Sequence, residues 1–171
     1  MSSAAPSRPR AVPLRQACAV IEAALSFAGA GIAGTLWGAD RAGRDVPCSA
    51  GGGCEIVGHS AWAYVDLLLW HHVPVALLGL AGYVVLFGLA MLRLASERGA
   101  ADRGLRRLIW LLAAGGAAYS WYLQWVAHAR IGAFCPWCRA SALVMTALLL
   151  TATGEWWAAR RATRRSQGIY A

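Results

Sequence analysis

The stretch Val73-Pro-Val-Ala-Leu-Leu-Gly-Leu-Ala-Gly-Tyr-Val-Val-Leu-Phe-Gly-Leu-Ala-Met-Leu92 contains no charged residue. About 20 apolar residues are what a helix needs to cross the hydrocarbon of a bilayer. This segment therefore predicts a membrane-spanning helix, and the rest of the chain repeats the theme. Ala17–Trp37 is interrupted only by Glu22 and Ser26, and similar runs cover 108–127 and 137–157. No small-residue cleavage site follows a short apolar core near the N-terminus, so 17–37 reads as a retained helix rather than a leader. The composition agrees. Of the 171 residues 58% are hydrophobic and 14% are charged, against about 25% charged for a soluble domain. The expectation is an all-α membrane protein, a four-helix bundle with spans near 17–37, 73–92, 108–127 and 137–157.

The net charge of +8 comes from arginine alone, since the chain has no lysine. A basic excess can signal nucleic acid or an anionic membrane surface, and the placement of the arginines separates the two. Twelve lie in the N-terminal tail (Arg8, Arg10, Arg15), the connection between the second and third spans (Arg93, Arg98, Arg103, Arg106, Arg107) and the C-terminal tail (Arg160, Arg161, Arg164, Arg165). Only Arg41, Arg44, Arg130 and Arg139 fall on the other side. The positive-inside rule puts both termini in the cytoplasm and requires no nucleic acid partner. Residues 1–15 and 160–171 then read as cytoplasmic tails, the first disordered and the second basic, around a membrane domain at 16–159. The absence of lysine points to a GC-rich bacterial genome, hence to the inner (cytoplasmic) membrane.

On this topology four of the five cysteines face outward, where disulfides persist. Cys48 and Cys54 lie in the long loop between the first two spans, Cys54 after three glycines that free the backbone. Cys135-Pro-Trp-Cys138 opens the fourth span. At a helix start the unpaired amides and the dipole favour thiolate at the leading sulfur, and Pro136 suits the first turn. A mobile pair beside a fixed pair is the layout of an electron relay. A static loop disulfide, or an outward-facing Cys/His metal-binding or transport protein, are the competing readings. The spacing within the first pair is longer than a zinc knuckle's, and no metal ligand set is assigned. Cys18 reads as a small buried apolar residue.

Cys48, the run Cys54-Glu-Ile-Val-Gly-His-Ser60, the segment Val73–Tyr83 and Cys135-Pro-Trp-Cys138 together resemble the vitamin K epoxide reductase family. The likeness covers roughly residues 15–155 and is to bacterial members without a fused thioredoxin-like domain. It departs at His72-Val73-Pro74, where the family usually has glycine before proline. It departs also at Ala142, where vertebrate members carry tyrosine, which favours simple quinone reduction over epoxide reduction. The resemblance implies a secreted or membrane-anchored thioredoxin-fold partner that attacks the loop disulfide at Cys48. Cys54 then exchanges with Cys135, and Cys138 passes electrons to a membrane quinone (ubiquinone or menaquinone).

The resemblance also places Ser60 near the quinone, while its residue type equally suits a helix N-cap. Ala61–Trp70 reads as a short interfacial helix lying in the membrane plane over the bundle, with Trp62 and Tyr64 as quinone cover or interfacial anchors. Gln124 is a candidate hydrogen-bond donor to the quinone or to another helix. His59, His71, His72 and His128 are candidates for proton transfer, though an interfacial polar role is simpler. Glu22 is expected to snorkel toward or pair with Arg15, and the span glycines to allow close helix packing.

Overall fold

The computed structural model describes residues 14–44, 46, 48, 53–67, 70–96 and 100–168. Its long elements are α1 (Leu14–Arg41), α3 (Val75–Ala95), α4 (Ala100–Val126) and α5 (Pro136–Gly168). Between α1 and α3 lie a short helix α2 (Gly53–Gly58), a 3-10 turn at Ala61–Ala63, and strands β1 (Tyr64–Leu67) and β2 (Trp70–Pro74). The four long helices pack antiparallel to their chain neighbours. α1 lies against α3 and α5, and α4 against α5 and α3.

Among the described residues three helices, α1, α3 and Pro136–Ala158 of α5, are long and apolar enough to cross a membrane, as in a multi-pass membrane protein. α4 has the length, but arginines in its first turns and its later Gly115, Gly116, Ser120, Gln124 and aromatic residues make it less apolar. Large apolar side chains such as Phe27, Val84, Val85, Leu111, Leu143 and Leu150 point outward on all four helices, the reverse of a soluble bundle. The interior is small-residue packing around Tyr83, Leu86, Ile109 and Leu148, with Ala33, Ala113, Ala117 and Ala152 between them. Gly29 is required by this arrangement, because a Cβ there would run into the Tyr83 ring.

Several expectations are corrected. Ala61–Trp70 is no in-plane helix: after one 3-10 turn it becomes half of an antiparallel hairpin pairing Tyr64 with Pro74, Val65 with Val73 and Leu67 with Trp70. Tyr64, Val65 and Val73 are residue types that fit a pleated surface. His71 and His72 together oppose Asp66 in a bulge, and His72 takes the left-handed conformation (φ 63°), the region that such extra residues use. Its N–H donates to Asp66 Oδ1 at 2.8 Å, and its ring stacks on Tyr64. Tyr64 in turn donates its hydroxyl to Asp40 Oδ1 at 2.7 Å, tying the hairpin to the end of α1. Helix α1 already starts at Leu14 and takes in Arg15, so neither residue is part of a disordered tail. The N-terminal tail proper, residues 1–13, lies outside the described residues. α5 runs on through the basic C-terminal stretch to Gly168.

Glu22 is also not paired with Arg15. At the end of the bundle opposite the two cysteine pairs, Arg93 of α3 is fully buried and donates from Nη1 to Glu22 Oε2 at 2.6 Å. Its Nη2 donates to both oxygens of Glu155 on α5 at 2.6 and 2.8 Å. Its Nε reaches Asp102 of α4 at 3.3 Å. One guanidinium thus joins all four long helices. Arg15 completes the cluster by donating to Asp102 at 3.1 Å and to the carbonyls of Arg93 and Ser96. These carbonyls end α3 and lack helical donors of their own, which a cation satisfies well.

Candidate active site

At the other end, Cys48 and Cys54 are joined in a disulfide. Cys54 sits in the first turn of α2 and is buried, and its neighbour Gly53 is pressed against the backbone of Phe134. A Cβ at Gly53 would overlap the Phe134 carbonyl oxygen, so only glycine lets the two segments meet. Phe134 immediately precedes Cys135, and this contact therefore brings the loop pair beside the second pair. Cys135 and Cys138 are both free thiols, Cys135 buried and Cys138 half-buried. They are presented by a local sequence of events in the backbone. α4 loosens into a π-turn at Ala127–Ile131, ends on Gly132 in the left-handed conformation, and α5 starts at Pro136. A wide turn followed by a positive-φ glycine reverses the chain in few residues.

Cys135 is placed ahead of the first helical turn, where the Cys138 N–H donates to its sulfur at 3.2 Å. The Cys138 thiol and the N–H of Trp137 add further donors. Together they outweigh burial and hold Cys135 down to about 7, with the Cys138 thiol the largest contributor. The reactive form is the thiolate, so alkylation of reduced Cys135 by iodoacetamide rises as pH increases through about 7 and levels off above it. Cys138→Ala removes the largest donor and moves that inflection up toward the ordinary thiol range. Rates against pH, read by mass spectrometry of the Cys135 peptide, check both outcomes.

A cavity of about 410 Å³ opens at this end and runs between the helices. Its walls include Cys54, Cys135 and Cys138 together with Ser60, Trp62 and Gln124, so the expected contact residues gather around one space. Cys48 is not in the wall; it is reached through its bond to Cys54. Ser60 does not cap a helix with its side chain. Its hydroxyl donates back to the Val57 carbonyl at 2.7 Å. Trp62 is 47% exposed at the rim. Of the four histidines, His59 lines the cavity, while His71, His72 and His128 are exposed away from it. Leu86 and Met145 lie deeper, roughly 15 Å along their helices from the mouth at 1.5 Å per residue.

Sequence reasoning missed Tyr83, Tyr119, Ser120 and Ser141, four hydroxyl-bearing residues that line the cavity. The available signals were a lone phenol in an uncharged span and a serine three residues after Cys138, on the same helical face. Among the described residues no group of three or more His, Cys, Asp or Glu is arranged to hold a metal ion.

A free cysteine pair at a helix mouth, a disulfide abutting it and an apolar cavity within membrane helices define a membrane thiol oxidoreductase. The family model described as the vitamin K epoxide reductase family matches residues 20–153, most of the chain. The chain belongs to that family. A search among curated proteins finds no match to it.

Proposed function

We propose that the chain is a quinone-dependent thiol–disulfide oxidoreductase that supports disulfide formation in exported proteins. The observation that carries this reading is that both cysteine pairs reach one apolar cavity, Cys54 from the first turn of α2, Cys135 from just ahead of α5 and Cys138 from its first turn. Its volume lies in the range of small-molecule sites, about 300–1,000 Å³, and its walls are largely apolar with a few hydroxyls, which suits a lipid-soluble quinone ring. A bound quinone supplies a two-electron, two-proton sink.

In this reading a secreted or membrane-anchored thioredoxin-fold partner attacks the loop disulfide at Cys48. Cys54, released as a thiolate, attacks Cys135 of a Cys135–Cys138 disulfide left by the previous turnover and expels the Cys138 thiolate. Cys48, freed from the partner, then attacks Cys54 to close the loop disulfide and release Cys135. The resulting Cys135/Cys138 dithiol is the donor to ubiquinone or menaquinone. Each protein step is thiolate attack through a mixed disulfide, its direction set by the reduction potentials. Ser60, Trp62 and Gln124 are the proposed cavity contacts.

The matching topology has four crossings within a domain at 16–159, flanked by tails at 1–15 and 160–171. Both termini face the cytoplasm of a bacterial cell and the cysteines face outward across the inner membrane. The arginine count supports this orientation.

The test is anaerobic reduction of decylubiquinone or menadione by purified protein, with a reduced thioredoxin-fold dithiol or with dithiothreitol. Wild type is expected to turn over with both donors. Cys48→Ala is expected to lose the protein donor while keeping dithiothreitol. Wild type inert toward both quinones overturns the reading, and metal titration of the same sample then tests the metal-binding alternative.

A further inference from the structure

The cavity wall carries a hydroxyl pair that the cysteine relay leaves unused. Tyr83 is 1% exposed in the middle of α3, its ring set in the notch that Gly29 leaves open. Its hydroxyl donates to the Ser141 carbonyl at 2.8 Å and lies 3.0 Å from Ser141 Oγ. A phenol has a single proton to donate. With that proton on the carbonyl, the hydroxyl–hydroxyl bond is donated by Ser141. Only the Ser141 proton is then free to be redirected, because turning its hydroxyl toward an occupant leaves Tyr83 anchored to the backbone.

Ser141 lies at i+3 from Cys138, and Tyr83, Ser141 and Cys138 line the same cavity. The neighbouring deep wall is Leu86, Leu112, Gly116 and Met145. In a wall of that kind a small number of polar groups fixes a ligand's orientation.

Resting on the quinone-reductase reading above, we propose that Ser141 donates a hydrogen bond to a carbonyl oxygen of the quinone held in this cavity, with Tyr83 the residue that positions Ser141. In the balanced step the Cys135 and Cys138 thiols lose two electrons and two protons and close a disulfide. The quinone takes up both electrons and both protons and leaves as the hydroquinone. Ser141 keeps its own proton over the cycle. Its part is to steady the oxygen on which negative charge builds, where a preformed donor acts most strongly.

The experiment uses the full chain in detergent and decylubiquinone as probe. Equilibrium binding is read from quenching of tryptophan fluorescence, and KM and kcat are measured with dithiothreitol as donor. Ser141→Ala is expected to raise both the dissociation constant and KM about tenfold, the worth of one hydrogen bond, and to lower kcat as well, because the bond strengthens as charge builds on the oxygen. The pH dependence of Cys135 alkylation should stay as in wild type. Ser141→Thr keeps the hydroxyl and restores binding. Tyr83→Phe weakens binding less than Ser141→Ala and adds nothing to it in the double variant.

If wild type binds and reduces the quinone while Ser141→Ala matches it in both constants, this inference alone is overturned. The same holds if Ser141→Thr is as weak as Ser141→Ala, since volume and not the hydroxyl would then matter. Wild type that neither binds nor reduces the probe overturns the quinone-reductase reading along with the inference.

Discussion

Replacing Arg93 by methionine is expected to cost about 3–5 kcal/mol of stability, the range for breaking a buried ion pair from one side. Methionine keeps most of the volume, so the loss is electrostatic. Among the described residues Asp102 would keep its ion pair with Arg15, while Glu22 and Glu155, themselves almost fully buried, would lose the guanidinium they share. The same substitution releases the ties from α3 to α1, α4 and α5 at once. In detergent the thermal midpoint should fall by roughly 10 °C. Glu22→Gln is the informative control. Two arginines face three acids in this cluster, so neutralising one acid removes surplus negative charge, and Glu22 Oε1 has no hydrogen-bond partner to lose. Because glutamine keeps the shape of glutamate, a Glu22→Gln protein melting as low as Arg93→Met would show that the Arg93–Glu22 charge pair, and not surplus negative charge, governs the cluster.

Cys138→Ser is expected to lower quinone reduction by about a thousandfold or more, as loss of one member of a reacting unit does, while leaving the melting temperature nearly unchanged. Serine fills the site but forms no disulfide with Cys135. Cys135 then has no resolving partner, and the Gly53–Phe134 contact keeps Cys54 beside it. With no donor added, the Cys135 thiolate can attack Cys54 of the loop disulfide and release the Cys48 thiol, so the variant should accumulate a Cys54–Cys135 bridge that a reduced dithiol then removes. Non-reducing peptide mapping reads this directly. A trapped bridge from Cys48 instead would reverse the order assigned to the loop pair.

The long helices were legible because the bilayer leaves a backbone few options: uncharged runs near 20 residues must hydrogen-bond internally. The cysteine pairs were legible because their spacing and their place on the topology agree. Two kinds of feature were not. The segment Ala61–Trp70 is short, apolar and aromatic, and over so few residues periodicity does not separate helix from strand. Its hairpin depends on a bulge and on the bond from Tyr64 to Asp40, both tertiary.

Glu22 shows the second kind. Sequence nearness favoured Arg15, seven residues back on the same helix, but Arg15 is drawn to Asp102. Arg93, 71 positions away, is the actual partner. Counted as a topogenic charge, Arg93 gave no hint of a buried role, because only the antiparallel packing of α1 and α3 brings the two together. Tyr83 escaped for the same reason. Its hydroxyl has meaning only once α5 lies across α3.

The charge cluster and the cavity sit at opposite ends of one bundle. Cys138 and Glu155 are 17 residues apart on α5, about 25 Å at 1.5 Å per residue. Arg93 holds all four long helices at one end of that arm, whereas toward the cavity the ties are single neutral hydrogen bonds such as Tyr83 to Ser141. Over that arm, a tilt of about 7° spreads the tips by roughly 3 Å, close to the thickness of a flat ring. Parting α3 from α5 by that much would break the Tyr83–Ser141 hydrogen bond while leaving every bond at the Arg93 pivot in place.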